Sequence, residues 1–403
     1  MQVQKRPVAA FVGVLLFGAL LYFAMTELQP LLGEHLFDYG TWYENSLGNG
    51  WWRLLWMIGD GTEPFFHKTI LGGAFLLLGT VAAYFLDRKR SRFRGIPIAY
   101  GMGKIFPAVF GAAFLSHLLA ILLFGGLRVE NDAWTATFIP YVSVAAAVVL
   151  LYGASWPSVL TGGVLGALFT TPIAVVLRSA VLIPLGMPTV IGSVTGMWLG
   201  GILSFEICRI LPWMKKKELP INELSPAQVK GETALSKYKL LHPNRFFVRR
   251  MLADYSEPMF VGNEIAGGAL IVGSLLTWAL DPLQPYYGTG WFPACVFSQI
   301  VTGAVAMFLY WDQWLTHDFF PTFVPVVSVA PAMILCFGPS LPVILISAVL
   351  GGVAAPACAK MINDKIPPHW NGMVGSTASM AICSFAVYTV LYCLTAAFPV
   401  LAA

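Results

Sequence analysis

Charge is what this sequence has least of. Only 11% of its 403 residues are Asp, Glu, Lys or Arg, about half the share of an ordinary soluble domain. Hydrophobic residues make up 57%, and the mean hydropathy is +0.73. A chain this apolar cannot hide its surface in one water-facing globule, so lipid is the expected solvent. The net charge of +4 is too small to draw a nucleic acid. Six cysteines, at 208, 295, 336, 358, 383 and 393, all lie in apolar stretches without a CxxC pair, which argues against a disulfide framework or a thiolate metal site. There is no Walker motif, no GxGxxG after a strand, no HExxH and no Ser-His-Asp grouping, so neither an ATP-driven pump nor an enzyme is expected, and no metal site or cofactor.

What is present is a series of long apolar runs. A membrane-crossing helix needs about 20 such residues. Runs fall at 8–26, 64–86, 98–125, 137–153, 157–183, 187–212, 261–280, 292–311, 322–338, 341–362 and 371–398. Pro140 and Pro325 interrupt the short fourth and ninth. The first run follows Lys5 and Arg6 and lacks a small-x-small cleavage site, so it reads as a retained helix. Residues 27–58, with Trp42, Trp51, Trp52 and Trp56, are expected along an interface.

Basic residues set the orientation. Arg88, Lys89, Arg90, Arg92 and Arg94 fill one short loop, and nine Lys and Arg between Lys215 and Arg250 fill another. Eleven spans starting inside put both on the cytoplasmic side, with Lys360 and Lys365. The other side holds little: Arg53 and Arg128, with Lys68 and Arg178 near helix ends. The N-terminus and the loop 213–260 are thus expected in the cytoplasm of a bacterial plasma membrane, and the C-terminus outside.

The chain also repeats itself. Asp60-Gly-Thr-Glu-Pro-Phe-Phe66 matches Asp254-Tyr-Ser-Glu-Pro-Met-Phe260, and Gly72-Gly73-Ala74 aligns with Gly267-Gly268-Ala269. Thr137-Phe-Ile-Pro-Tyr-Val-Ser-Val-Ala145 matches Thr322-Phe-Val-Pro-Val-Val-Ser-Val-Ala330. Gly153-x-Ser155-x-Pro157 matches Gly338-x-Ser340-x-Pro342, and Gly192-Ser193 with Met197 matches Gly375-Ser376 with Met380. Each copy holds five runs. Five is odd, so the second copy starts on the opposite side. The expected fold is an all-α polytopic membrane protein of about 11 transmembrane helices. It has an N-terminal helix and interfacial segment (1–58), a first five-helix repeat (59–212), a cytoplasmic linker (213–252) and an inverted second repeat (253–403), with Pro-broken helices.

Inverted repeats place a solute site near the midplane, and matched interrupted segments point to it. A proline frees a carbonyl one turn earlier, and in lipid that carbonyl must face protein, water or solute. Thr137, Pro140, Ser143, Thr322, Pro325 and Ser328 are therefore candidate pathway residues; the alternative is a packed kink with back-bonded hydroxyls. Ser193 and Ser376 either line the pathway or allow close helix packing. Glu63 and Glu257 either cap helix starts or act in coupling or gating. Asn263 and Glu264 are candidates for the same role. Asp60 and Asp254 read as caps, Glu206 and Arg209 as a local pair, and His117 as a helix-to-helix hydrogen bond. His67 and Lys104 are further polar groups in or near the runs.

The openings of the two repeats, Phe65-Phe-His-Lys-Thr-Ile-Leu-Gly-Gly-Ala-Phe-Leu-Leu-Leu-Gly79 and Met259-Phe-Val-Gly-Asn-Glu-Ile-Ala-Gly-Gly-Ala-Leu-Ile-Val-Gly273, resemble the first-helix pattern of bacterial urea transporters. The Asn-Pro element of that pattern is absent: Glu follows Asn263. The resemblance implies a pathway between the halves and a homo-oligomer, commonly a trimer. The flavin-carrying subunits of sodium-pumping quinone reductases are similar in architecture, but Gly375-Ser-Thr-Ala-Ser379 departs from their attachment motif. The function expected is a channel or secondary transporter for a small polar, neutral or weakly charged solute, with that solute and membrane lipids as partners. A membrane subunit of a redox or transport complex is the alternative.

Overall fold

The computed structural model describes residues 6–96, 103–125, 136–215, 238–317 and 319–402. Lys5, Arg128, Lys216, Lys217, Lys230, Lys237 and the start of the 98–125 run lie outside them. Among the described residues every regular element is a helix. Eight helices are long and apolar enough to cross a membrane: Val8–Leu31, Ile70–Arg88, Gly103–Phe124, Trp156–Leu182, Val190–Ile210, Phe292–Leu309, Leu341–Asn363 and Met373–Ala397. Three shorter apolar helices, Ala136–Tyr152, Glu264–Leu280 and Val324–Phe337, fall where the fourth, seventh and ninth runs were expected. The first helix turns Leu16, Phe17, Leu20 and Phe23 outward, a surface suited to lipid.

The α-helices are α1 (Val8–Leu28), α2 (Tyr39–Gly48), α3 (Gly50–Asp60), α4 (Ile70–Arg88), α5 (Phe106–Phe124), α6 (Val144–Tyr152), α7 (Trp156–Leu177), α8 (Val190–Ile210), α9 (Pro243–Asp254), α10 (Glu264–Leu280), α11 (Phe292–Leu309), α12 (Trp311–Thr316), α13 (Val329–Phe337), α14 (Leu341–Asn363) and α15 (Met373–Ala397). Their packing is written twice. Helix α3 meets α4 as α9 meets α10; α5 packs on α6 and α7 as α11 packs on α13 and α14; α7 lies on α8 as α14 lies on α15. The two sets meet where α4 crosses α10 and where α8 crosses α15. Helix α1 breaks the correspondence by packing chiefly on α9 and α11.

Each Glu-Pro motif breaks a helix pair rather than starting a helix. Glu63–Phe65 and Glu257–Met259 form 3-10 turns, and Phe66 and Phe260 follow in the left-handed region with φ 63° and 59°. That conformation is uncommon for a bulky residue and costs roughly 1–3 kcal/mol. A hydroxyl holds each break closed. The backbone N–H of Thr69 donates to Thr62 Oγ1, and that of Asn263 donates to Ser256 Oγ, both at 2.8 Å. Helices α4 and α10 begin only afterwards, so Glu63 and Glu257 cap neither.

The proline-broken segments also match in detail. A 3-10 turn runs through Pro140 and another through Pro325. Ser143 and Ser328 then leave helical geometry, and nine-residue helices follow, rising about 14 Å, roughly half a bilayer. Gly153 and Gly338 stop them at φ 90° and 88°. Ser155 and Ser340 cap the next helices by accepting from Ser158 N–H and Val343 N–H.

The glycine register differs from the sequence alignment by one residue. A Cβ on Gly73 would stand 1.8 Å from the Ile58 carbonyl oxygen, and one on Gly267 would stand 1.9 Å from that of Leu252. Gly73 therefore pairs with Gly267, not Gly72, and the residue equivalent to Gly268 is Ala74. Backbone approach this close is the usual route to tight helix contact in lipid. We expect Gly73→Ala and Gly267→Ala each to destabilise the fold by about 1–3 kcal/mol, seen as a lower thermal unfolding midpoint in detergent. Gly268→Ala, with no atom near the added methyl, should leave the midpoint unchanged.

Candidate functional site

The two breaks hold the principal buried charges. In the first, Lys68 pairs with Asp60 at the end of α3 and lies 3.6 Å from Glu63 Oε2. His117 Nε2 on α5 is 2.7 Å from Asp60 Oδ2, and the Thr137 hydroxyl donates to the same oxygen at 2.8 Å. Trp56 Nε1 donates to Thr137 Oγ1, and the Trp56 ring lies 3.6 Å beneath the Lys68 ammonium. Asp60 thus ties α3, the break, α5 and the broken segment together.

The second break repeats this with a different cation. Arg250 lies 2.7 Å from Asp254 and 3.3 Å from Glu257, and it stacks over Trp314. The Thr322 hydroxyl donates to Asp254 Oδ2 at 3.2 Å. Arg250 occupies the position of Trp56 in the first set, and Lys68 that of Gly262. Lys68 and Gly262 both take positive φ. The two breaks therefore draw their positive charge from opposite sides of the turn.

Glu63 and Glu257 face a cavity of roughly 700 Å³ lined from both sets of helices. Its walls come in matched pairs: Phe66 with Phe260, Phe138 with Phe323, Val142 with Val327, Leu150 with Leu335, Ser193 with Ser376 and Met197 with Met380. Tyr39, Tyr287, Asn363 and Asn371 are lining residues outside this matching. The Tyr287 hydroxyl donates to Glu63 Oε1 at 2.9 Å.

Of the expected pathway residues, the structure brings Ser193, Ser376, Glu63 and Glu257 to one cavity. Thr137, Pro140, Ser143, Thr322, Pro325 and Ser328 are buried outside its lining. Ser143 donates to the Ile139 carbonyl at 2.6 Å and Ser328 to that of Val324 at 2.7 Å. This is the packed-kink alternative, and the broken segments offer the cavity Phe138, Val142, Phe323 and Val327 instead. Asn263 caps α10 through Ile265 N–H and donates to the Arg94 carbonyl. Glu264 accepts from Nε and Nη2 on one edge of the Arg249 guanidinium at 2.6–2.8 Å, while Nη1 donates to the Tyr238 hydroxyl. Neither lines the cavity.

The structure also places the remaining charged and aromatic candidates. Asp60 and Asp254 are ion-paired inside the protein rather than capping. Lys68, Arg178, Trp42 and Trp56 are buried within the protein. Glu206 and Arg209 form the expected local pair at 3.3 Å, with Glu206 also meeting His369 and accepting from Trp370; His67 bridges Ser274 and Gln299 at 3.0 and 2.9 Å, and Lys104 is exposed. The lining phenylalanines were missed although they sit within the matched motifs. Their signal was an aromatic repeated at equivalent positions.

Compared with models of known protein families and with curated proteins, the chain matches none.

Removing one partner of a buried ion pair leaves the other charge uncompensated and costs about 3–5 kcal/mol. We expect Lys68→Met to lower stability on that scale and Lys68→Met with Asp60→Asn to recover a large part of it, measured as a double-mutant cycle of unfolding in detergent. Additive losses would show that the pair is not coupled.

Proposed function

We propose that this chain is a membrane channel or secondary transporter for a small polar, neutral or weakly charged solute. Its pathway runs between two inverted repeats, 59–212 and 253–403, that follow an N-terminal helix. The observation that carries the reading is the cavity whose walls are matched residues of both sets of helices. Solute sites between inverted repeats at broken helices follow the same logic. The reading keeps eleven spans, eight long and three short. It also keeps the urea-transporter-like architecture as an analogy of fold, with a homo-oligomer as its corollary, and a bacterial plasma membrane as location.

Two measurements test it. Reporter fusions probe the orientation: a phosphatase joined after Ala403 should be active, and a fluorescent protein inserted between 213 and 237 should be bright. Two ends reporting the same side would remove the inverted arrangement. Flux into proteoliposomes probes the function. A panel of small polar solutes should include some that enter faster than into empty vesicles, and Ser376→Trp, which places an indole in the cavity, should cut that flux at least about tenfold, a barrier increase of about 1.4 kcal/mol. Intact protein with no flux for any member of the panel would sink the proposal.

A further inference from the structure

We infer that the cavity takes a small organic cation, an ammonium group carried on an alkyl or aryl body, held between Glu63 and Glu257. The inference deepens the transport reading by naming a substrate class, and it rests on the same cavity.

The first observation is the sign of the lining. Among the described residues that wall the cavity, the ionisable carboxylates Glu63 and Glu257 have no Lys, Arg or His beside them on the wall. The remaining polar groups are hydroxyls and amides. The nearby cations are not part of the wall. Lys68 lies against the Trp56 ring and Arg250 over Trp314. Each is shared between two carboxylates, Lys68 between Asp60 and Glu63, Arg250 between Asp254 and Glu257. Arg178 is an electrostatic neighbour of Glu63 and is not part of the wall. An anion entering here would meet carboxylates with their counter-charges behind them.

The second observation is an oxygen with hydrogen-bonding capacity to spare. Glu63 is 2% exposed, and its Oε2 makes no hydrogen bond among the described residues, with the Lys68 ammonium 3.6 Å away and outside hydrogen-bond distance. Buried carboxylate oxygens are ordinarily bonded, and an N–H from a bound ammonium would satisfy this one.

The third is the character of the walls. The Phe66–Phe260 and Phe138–Phe323 pairs place rings on both sides of the space. Ring faces attract cations and cover apolar substituents. A bare metal ion is a poorer fit. Hard cations gather several oxygen ligands at once, and the described residues contain no group of three or more His, Cys, Asp or Glu able to hold one. A volume near 700 Å³ also exceeds what a single ion fills.

The test uses the full chain in lipid nanodiscs and calorimetric binding of benzylammonium, with benzyl alcohol and benzoate as neutral and anionic counterparts and sodium as the inorganic cation. Benzylammonium should bind at least about tenfold more tightly than either organic counterpart, a difference of about 1.4 kcal/mol. Glu63→Gln and Glu257→Gln should each erase most of that preference. Should a Gln variant fail to fold, Phe138→Leu and Phe323→Leu serve in its place. They should weaken benzylammonium about threefold or more while benzyl alcohol changes less, as loss of a cation–ring contact requires. Equal or tighter binding of benzyl alcohol or benzoate, displacement of benzylammonium by millimolar sodium, or Gln variants that keep the preference would overturn the inference. Flux of neutral solutes without ammonium binding overturns it and leaves the transport reading standing. Ammonium binding without flux of any solute does the reverse.

Discussion

A carboxylate buried from water is costly unless it is paired, and this fold is organised around two that are paired. Moving such an ion from water into an apolar interior costs several kcal/mol even after relaxation. Asp60 offsets that cost with Lys68, His117 and Thr137 at once, and Asp254 with Arg250 and Thr322. At Asp60 each bond comes from a different element, whereas Arg250 shares helix α9 with Asp254 and reaches the turn through Glu257 at 3.3 Å. Satisfying the charge therefore fixes the end of one helix, the turn after it and the broken segment opposite as a single unit. Because replacing a buried pair with apolar residues is often neutral in stability, its role here is better read as positional. It holds the chain in a break that hydrophobic packing alone would not select.

The consequences run outward from those breaks. With Asp60 and Asp254 fixed, the following 3-10 turns carry Glu63 and Glu257 to the opposite side, toward the space between the helix sets. The left-handed Phe66 and Phe260 reverse the chain there and add their rings to the wall. The strain of roughly 1–3 kcal/mol at each is sustained by the Thr62 and Ser256 bonds that close the turn. Helices α4 and α10 can then cross at close range, since Gly79 and Gly273 present no side chain to the facing backbone. Both carboxylates and the crossing are thus one geometric solution used twice.

Much of this was legible in the amino-acid order, and the exceptions have physical reasons. Apolar runs locate the helices because lipid demands length and hydrophobicity, and the Gly-x-Ser-x-Pro motifs marked a real stop and cap. The repeat was visible because both breaks need Asp, Glu-Pro and a hydroxyl at fixed spacing. The cations were not, since Lys68 and Arg250 occupy unrelated positions and no alignment pairs them. The direction of the broken segments was hidden too. Thr137 and Ser143 looked like lining because their hydroxyls sit beside a proline-freed carbonyl, but those hydroxyls are spent on Asp60 and on the Ile139 carbonyl, and the adjacent Phe138 and Val142 line the cavity instead. The one-residue glycine shift arose because consecutive glycines match in either register, and only the Ile58 and Leu252 carbonyls distinguish them.

The departures from symmetry bear on how such a cavity could work. Two identical ends would offer a solute equal reason to stop at each. Here the Glu63 end adds the Tyr287 hydroxyl to its carboxylate, while elsewhere the lining adds the amides of Asn363 and Asn371. The surrounding supports differ as well. Helix α1 braces α9 and α11, with Gly18 pressed on Ile300, and the first break leans instead on the aromatic cluster of Tyr39, Trp42 and Trp56. One break is thus backed by a membrane-length helix and the other by the short helix α2, each without a counterpart in the other set. Under any motion that opens one end, the contacts made or lost would be unequal on the two sides, and such inequality lets an equilibrium between two arrangements be biased by what is bound. Two matched halves supply the shape of the space; the unmatched tyrosines, asparagines and braces make its two sides unequal.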